Sequence, residues 1–326
     1  MRILVTGITG RIGANVAAAL VARGHTMRGL VWERDARVAK LQPLGVELVT
    51  GSLTEEADVN RAVDGMDAIY HLGGAFQGGG PFSTDDYFEI NVRGTFLMLE
   101  AARRQPHLQH ILFASTDALY DKYVPGGMNA PIDPDRSPRE PKGWYALSKS
   151  VGEELCNGYF RTYRTPVTIL RFALVVGAGE IVSFPQFYLS KLKETQPDLA
   201  SLWTGDERLV IVRDDRGRSW RKHIADVRDI VAGCVAALGK PAALGETFQL
   251  AGPAPFTWEG AIPYLSDRLD LPYIDVRSTG TPTYYEYDLA KARQLLDFQP
   301  QYDIFRMIDD ALAFTRGEDI GVLPTT

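Results

Sequence analysis

Two segments of the sequence contain residues whose types and spacing suit proton and hydride transfer at a carbinol or ketone. Tyr145 and Lys149 stand four positions apart, which places both on one face of a helix. A free tyrosine has a pKa of roughly 10, and a neighbouring lysine cation favours the phenolate, so this pair suits acid/base work. Far upstream, residues 6–13 form a glycine-rich turn of the kind that approaches a dinucleotide. Together the two segments predict a redox site.

The glycine-rich turn follows a predicted strand and precedes a predicted helix. Glycines let the backbone come close to a pyrophosphate, and the helix points its N-terminal end at the negative charge. A purely structural turn would use the same residues, and the distant tyrosine and lysine argue against that alternative. The candidate cofactor-binding residues of this turn are Gly7, Thr9, Gly10, Arg11, Ile12 and Gly13.

A second tyrosine and lysine with the same spacing, Tyr287 and Lys291, occur near the C-terminus. No glycine turn or strand arrangement places this pair beside a cofactor. We therefore interpret it as a surface helix, with Asp288 as a possible N-cap.

The elements that must position these residues follow from alternating apolar runs and helix-like segments. This alternation predicts an α/β fold with a doubly wound parallel sheet. The predicted strands are residues 3–5, 29–31, 46–49, 68–70, 111–113 and 167–170. The predicted crossover helices are residues 11–23, 36–44, 55–63, 86–104 and 145–163.

The pattern predicts two domains. Residues 1–175 would form the dinucleotide-binding domain, with later sheet elements from about residues 208–250. Residues 176–326 would form a smaller, mainly substrate-binding domain. Two loops, residues 77–81 and 121–143, follow strands and should lie at the carboxyl edge of the sheet, where such folds bind ligands. A surface loop is the alternative for both.

Composition narrows the function classes. The 326 residues are 45% hydrophobic with a formal net charge of -6, which gives no basic footprint for nucleic acid or an anionic membrane. A small-molecule substrate is therefore expected. Cys156 and Cys234 encode neither a disulfide framework nor a metal site, and no signal peptide or membrane span is recognisable. These features predict a cytoplasmic protein.

The motifs resemble those of the extended short-chain dehydrogenase/reductase family, which includes NAD-dependent epimerases and dehydratases. The resemblance covers about the first 180 residues well. It implies a Rossmann fold and bound NAD(P). By this resemblance, Tyr145 would be the catalytic acid/base, Lys149 would hold the nicotinamide ribose, and Thr116 would form a hydrogen bond with the reacting oxygen. Asn91 would support the site from within a helix, or would be a plain polar helix position.

The same resemblance implies further contacts to the cofactor. His71 either faces the cofactor or is a satisfied core histidine. The other candidate cofactor-binding residues are Glu33, Arg34, Ser52, Leu53, Leu72, Gly73, Gly74, Ser115, Phe172 and Leu174, besides Tyr145 and Lys149.

The sequence departs from the family pattern where the adenosine ribose would lie. Val31 stands where NAD-preferring members usually have a carboxylate, and Trp32 where many NADP-preferring members have arginine. Glu33 could still reach a ribose diol, so NAD is slightly preferred. The arginines that could instead meet a 2′-phosphate are Arg11, Arg34 and Arg37. Ser52 replaces an aspartate that commonly touches adenine.

Other departures concern the substrate. Ala118 stands where dehydratases of the family have a glutamate, which argues against dehydration. Leu174 stands where many nucleotide-sugar enzymes of the family have an asparagine, and Ser219 stands where they have an arginine. Arg218 or Arg221 could take the place of that arginine. A smaller sugar or a hydroxy-ketone becomes plausible.

Three functions follow. The first is an NAD(P)-dependent oxidoreductase that acts on a secondary hydroxyl or ketone of a sugar or sugar-like substrate. The second is a sugar or nucleotide-sugar epimerase that keeps NAD tightly bound. The third is a dinucleotide-sensing protein without enzymatic activity, against which Tyr145, Lys149 and Thr116 argue. Relatives often pair through the helices that carry the Tyr/Lys motif, so a homodimer is possible.

Overall fold

The structure, a computed structural model, describes residues 1–76, 80 and 82–325. Apart from Gly80, the predicted loop at residues 77–81 lies outside the described residues. Thirteen strands are described. Their bounds are β1 Arg2–Thr6, β2 Thr26–Val31, β3 Glu47–Thr50, β4 Ala68–His71, β5 His110–Thr116, β6 Val167–Phe172, β7 Leu174–Val176, β8 Leu209–Arg213, β9 Arg221–Lys222, β10 Ile224–Asp226, β11 Thr247–Leu250, β12 Phe256–Thr257 and β13 Tyr273–Arg277.

Seven of these strands form a parallel sheet in the order β11-β6-β5-β4-β1-β2-β3. The predicted doubly wound fold is confirmed, and all six predicted strands are present. The chain reverses its direction of winding between β1 and β4. Ligands of such sheets bind at the carboxyl ends of the strands beside this switch point.

Helices cover the sheet and connect its strands. Their bounds are α1 Arg11–Val21, α2 Glu56–Val63, α3 Thr84–Asp86, α4 Gly94–Arg103, α5 Gly143–Tyr163, α6 Leu189–Thr195, α7 Val227–Ala237, α8 Trp258–Leu269, α9 Ala290–Leu296 and α10 Ile304–Thr315. The predicted helix at residues 36–44 is a 3₁₀ helix, and the one at residues 86–104 begins with a π-helical segment, Tyr87–Arg93. Single π turns are frequent at functional sites.

The second half of the chain adds three two-stranded sheets, β10-β7, β12-β9 and β13-β8. Of the predicted later sheet elements, β11 joins the main sheet, whereas β8 pairs with β13. A separate hydrophobic cluster includes Phe187, Trp220 and Trp258. The division at residues 175 and 176 stays a prediction. Within the described part of the chain, no helix is long and apolar enough to cross a membrane.

Candidate active site

A cradle of three glycines lies at the switch point between β1 and β4. A Cβ atom on Gly13 would stand 2.2 Å from the carbonyl oxygen of Gly7, and one on Gly7 would stand 2.8 Å from the Cα atom of Gly73. Gly7 also has a φ of +67°, which favours glycine. The turn after β1 therefore packs directly on the turn after β4, and its exposed backbone fits a pyrophosphate at the start of α1.

Thr6 and His71 tie these two turns together. The Thr6 hydroxyl accepts a hydrogen bond from Gly73 N at 3.0 Å and lies 2.9 Å from His71 Nδ1. His71 Nε2 lies 3.0 Å from the hydroxyl of Thr95 on α4. Burial, helped by the charge of Lys149, lowers the pKa of His71 to about 3. His71 is therefore a neutral core histidine with both ring nitrogens engaged.

The side chains of other predicted cofactor residues bond within the protein. Thr9 donates to Asp35 at 2.7 Å. Arg11 pairs with Glu180 at 2.7 Å and donates to the carbonyl of Val175 at 2.8 Å, so its guanidinium faces the second half of the chain. The Ser52 hydroxyl bonds that of Thr54.

Leu53, Leu72 and Gly74 lie beside the glycine cradle. A Cβ atom on Gly73 would stand 3.1 Å from a methyl of Leu53, and one on Gly74 would stand 2.8 Å from Asn91 Oδ1. Leu72 is half-buried between the two glycines and the end of β4. Gly10 and Ile12 remain at the start of α1, where Gly10 N donates to the carbonyl of Gly7 at 3.0 Å.

An open groove of about 580 Å³ begins where β2 ends and is lined by residues 32–37. Glu33, Arg34 and Trp32 are exposed in it. Arg37 forms an ion pair with Asp35 at 2.7 Å. The hydrogen bonds from Arg37 are the main reason that the pKa of Asp35 falls to about 2. Two charged side chains, Glu33 and Arg34, therefore stand where a ribose would reach the edge of the sheet.

Tyr145 lies in the first turn of α5 against the end of β5. Burial raises its pKa to about 12, although a hydrogen bond with Thr116 acts in the opposite direction. The Thr116 hydroxyl also accepts from Ala118 N at 3.1 Å, which fixes its orientation. Thr116 and Tyr145 thus present two hydroxyls at one point, and Tyr145 is protonated at neutral pH.

Lys149 lies one turn further along α5 and is buried. Its Nζ stands 4.4 Å from the centre of the Phe113 ring. Burial lowers its pKa to about 8, and the charge of Glu153 only partly opposes this. Lys149 is not among the groups that set the pKa of Tyr145 in this arrangement.

Asn91 links the turn after β4 to α5, the helix that carries Tyr145 and Lys149. Its Oδ1 accepts from Ala75 N at 2.7 Å, and its Nδ2 donates to Ala75 O at 2.8 Å and to Ser148 Oγ at 2.9 Å. Ser148 in turn donates to the carbonyl of Tyr145 at 2.8 Å. Asn91 therefore holds the turn after β4 through the backbone of Ala75 and contacts α5 through the hydroxyl of Ser148, a contributor that the motifs did not indicate.

Ser115 belongs to a buried ionic network that sequence reasoning also missed. Its hydroxyl donates to Glu153 at 2.6 Å, and Arg171 on β6 binds the same carboxylate. The position of Glu153, four residues after Lys149 on one helix face, was a usable signal. The network holds the end of β5 in place, and leaves the Ser115 hydroxyl turned away from solvent.

The prediction of a surface helix at Tyr287 was wrong. Tyr287 is 2% exposed, and its hydroxyl donates to Asp117 at 2.5 Å. The carboxylate of Asp117 also pairs with Lys122 at 2.7 Å. Burial of an aromatic ring against the end of β5 outweighs the local helix pattern, and α9 begins only at Ala290. Asp288 does accept from Ala290 N, at 2.7 Å, as a cap would.

The structure thus brings together Tyr145, Thr116, Lys149 and, through Ser148, Asn91. Phe172 ends β6 as a buried residue, and Leu174 is exposed on β7 beside β10. Glu33 and Arg34 lie apart, at the β2 end of the sheet. The arrangement places the hydroxyls of Tyr145 and Thr116 at the carboxyl end of β5 and the three-glycine cradle at the carboxyl ends of β1 and β4.

Comparisons with known proteins agree with this architecture. The chain is 26% identical to an uncharacterized UDP-glucose epimerase of Bacillus subtilis, over 96% of this chain and 98% of that protein. It is 32% identical to a uronate dehydrogenase of Pseudomonas syringae, over 52% of this chain and 58% of that enzyme. A crystal structure of a short-chain dehydrogenase/reductase superfamily protein from Agrobacterium tumefaciens with bound NAD is 32% identical, with a TM-score of 0.84 over 97% of this chain and 98% of that chain.

The sequence model of the NAD dependent epimerase/dehydratase family matches residues 3–251. That match runs through the strands and helices that carry the glycine cradle, Thr116 and Tyr145. This chain therefore belongs to the NAD dependent epimerase/dehydratase family and is an enzyme of the extended short-chain dehydrogenase/reductase type.

Proposed function

We propose that this enzyme is an NAD(P)-dependent oxidoreductase acting on a secondary hydroxyl or ketone of a sugar or sugar-like substrate. The observation that carries the proposal is the placement of the half-buried Tyr145 beside Thr116 at the carboxyl end of β5. Two hydroxyls at one point can exchange a proton with, and orient, a single substrate oxygen.

The cofactor is NAD(P), with NAD preferred, in keeping with the NAD-dependent family. The glycine cradle fits its pyrophosphate, because a Cβ atom on Gly7 or Gly13 would fill the space between the two turns. When bound, it would accept or donate the hydride. The cofactor-binding residues we propose are Gly7, Thr9, Gly10, Arg11, Ile12, Gly13, Glu33, Arg34, Ser52, Leu53, Leu72, Gly73, Gly74, Ser115, Tyr145, Lys149, Phe172 and Leu174.

In the proposed mechanism, Tyr145 holds the proton that moves to or from the substrate oxygen. With a pKa of about 12 it is protonated at neutral pH and is suited to donate that proton to a ketone oxygen. Taking a proton in the opposite direction requires additional positive charge beside the phenol. Thr116 orients the same oxygen, Lys149 binds the ribose, and Asn91 positions α5.

Epimerisation is the second candidate. It is favoured by the similarity to a protein named as a UDP-glucose epimerase, which extends over nearly the full length of both chains. An epimerase would retain its cofactor through the reaction. The sensor hypothesis loses its support, since the family consists of enzymes.

Two measurements test these proposals. The dinucleotide released when the purified protein is denatured is identified by absorbance and mass. Tightly retained NAD favours the epimerase; an empty site that binds added NAD favours exchange of cofactor at each turnover. Tyr145→Phe should abolish turnover and leave cofactor binding intact, whereas Tyr163→Phe, an exposed tyrosine on the same helix, should change neither. Unchanged turnover in Tyr145→Phe would overturn the assignment.

We further propose that residues 176–326 mainly bind the substrate, and that the protein works in the cytoplasm. A homodimer that pairs through α5, the helix with the Tyr/Lys motif, is also proposed; the neighbouring helix α4 carries Phe96. Phe96, Trp144 and Leu147 leave large apolar side chains exposed there. Sedimentation of Leu147→Asp against the unchanged protein would test that pairing.

A further inference from the structure

Three buried charged side chains, those of Asp117, Lys122 and Lys222, act on one another electrostatically near the end of β5. Asp117 follows Thr116 in the chain, and Lys122 Nζ stands 2.7 Å from its Oδ2 and 3.0 Å from its backbone oxygen. Lys222, on β9, approaches from the second half of the chain. Both lysines are 5% exposed. The carboxylate of this group follows directly on Thr116, the residue that bonds Tyr145.

Lys222 has few partners for a buried ammonium. Among the described residues, its Nζ donates to one acceptor, Gln186 Oε1, at 2.7 Å, although an ammonium offers three hydrogens. Its Nζ also lies 5.0 Å from the centre of the Phe184 ring. Gln186 and Phe184 are only half-buried, so the ammonium of Lys222 lies beneath a partly open part of the surface.

The charges of the cluster do not balance. Among the described residues, Asp117 is the carboxylate that pairs with Lys122, and its charge also acts on Lys222; the same carboxylate accepts from the hydroxyl of Tyr287. Burial lowers the pKa of Lys222 to about 7, and the positive charge of Lys122 adds to this. A buried charge without a counter-charge costs free energy, and a ligand with negative charge would remove that cost.

We propose that Lys222 and Lys122 form a subsite for a carboxylate attached to the substrate, so that the enzyme acts on sugar acids. This inference rests on the proposed function, since the carboxylate belongs to the substrate on which Tyr145 would act. When both lysines are charged, Lys122, Lys222 and Asp117 together carry one net positive charge. That charge matches a monoanionic carboxylate better than a phosphate dianion. Because Asp117 adjoins Thr116, the carboxylate would sit on the same sugar ring as the reacting oxygen.

The competing explanation is that Lys222 is a purely structural lysine that bonds Gln186. The two explanations differ in what an anion does to binding and stability. A structural lysine makes the enzyme indifferent to the charge of the sugar. A carboxylate subsite makes binding of a sugar acid depend on the ammonium of Lys222.

The test uses the NAD-loaded protein and calorimetric titration with three hexuronates, glucuronate, galacturonate and mannuronate, each against its parent hexose and the hexose 6-phosphate. We expect at least one hexuronate to bind at least tenfold more tightly than its hexose. Lys222→Met should reduce that preference at least tenfold. Lys291→Met is the matched control, because Lys291 already pairs with Asp135 and Glu246 at 2.8 Å; it should leave the preference unchanged.

Three results would overturn the subsite: no preference for any hexuronate, a preference that survives in Lys222→Met, or tighter binding of the 6-phosphates than of the hexuronates. Tyr145→Phe separates this failure from failure of the proposed function. If Tyr145→Phe still turns over substrate but binds hexuronates, the function is wrong and the subsite stands. If it loses turnover while the preference is absent, the subsite alone is wrong.

Discussion

Glu153 and Arg171 form a two-point ion pair inside the protein, with Arg171 Nε 2.8 Å from Oε1 and Nη2 2.7 Å from Oε2 of the carboxylate. Both side chains are buried. Arg171 also donates to the hydroxyl of Tyr120 at 2.6 Å, and Glu153 accepts from Ser115. The pair thus joins α5, β5 and β6 directly behind the residues that we assign to catalysis.

Glu153→Gln should lower the free energy of unfolding by about 3–5 kcal/mol, because it leaves the buried guanidinium of Arg171 without its counter-charge. Urea denaturation measures the change. Glu154→Gln is the control: Glu154 pairs with Arg139 near the surface, so less than about 1 kcal/mol is expected. Similar losses in the two variants would contradict the argument.

The contribution of Glu153 should also depend on pH. Burial raises the pKa of this carboxyl, but the hydrogen bonds and charge of Arg171 outweigh burial and hold it below 4.5. An acid with a depressed pKa stabilises the fold above its unfolded pKa and loses that effect as pH falls through the folded value. The stability gap between the natural protein and Glu153→Gln should therefore be full at pH 6 and shrink below pH 4.5. A difference in the free energy of unfolding that grows in acid would contradict a depressed pKa for Glu153.

Gly13→Ala should abolish cofactor binding and lower stability, because its Cβ would stand 2.2 Å from the carbonyl oxygen of Gly7 and force the cradle apart. Fluorescence titration with NADH and thermal unfolding measure both effects. Gly158→Ala offers a matched control on α5, where the added Cβ meets nothing within 4 Å. That variant should bind normally and gain up to about 1 kcal/mol from helix propensity. Normal NADH binding by Gly13→Ala would contradict the cradle.

Lys149→Met should stabilise the cofactor-free protein at pH 7 while turnover is lost. Burial lowers the pKa of Lys149 from 10.5 to about 8, so its charged form costs up to about 3 kcal/mol in the fold. The Lys149 ammonium holds its proton more tightly in the unfolded chain than in the fold. The free energy of unfolding of the natural protein should therefore rise between pH 8 and 10.5 and approach that of the variant. Lys142→Met, an exposed position, should show no such pH dependence. A destabilised Lys149→Met protein would refute the assigned cost.

Acid should destabilise the protein through its buried histidines. Burial lowers the pKa of His71 to about 3 and those of His110 and His223 to about 4. A base whose folded pKa is depressed gives full stability above its unfolded pKa, near 6.5, and loses it as pH falls toward the folded value. Urea midpoints at pH 7.5, 6 and 5 should fall steadily. The control His107→Gln, at an exposed position, should show the same fall of the urea midpoint with pH. A urea midpoint that does not change with pH in the natural protein would contradict the prediction.

Much of the fold and the centre of the candidate site were predictable from the sequence. Apolar runs with strand period and segments with helical period are local signals, and they located the six predicted strands and most of the helices. The spacing of Tyr145 and Lys149 was sufficient to place both on α5. The glycines of residues 7–13 predicted a tight turn because few other residues tolerate such close backbone contact.

Only the tertiary structure decided which side chains meet across the sheet. Tyr287 reaches Asp117 over 170 positions of the chain, and Asn91 reaches Ser148 over 57. No local period encodes such contacts, since they depend on how the layers pack. The same packing buries Lys222. The sequence by itself determined the fold and the catalytic helix, and packing determined the charges that surround them.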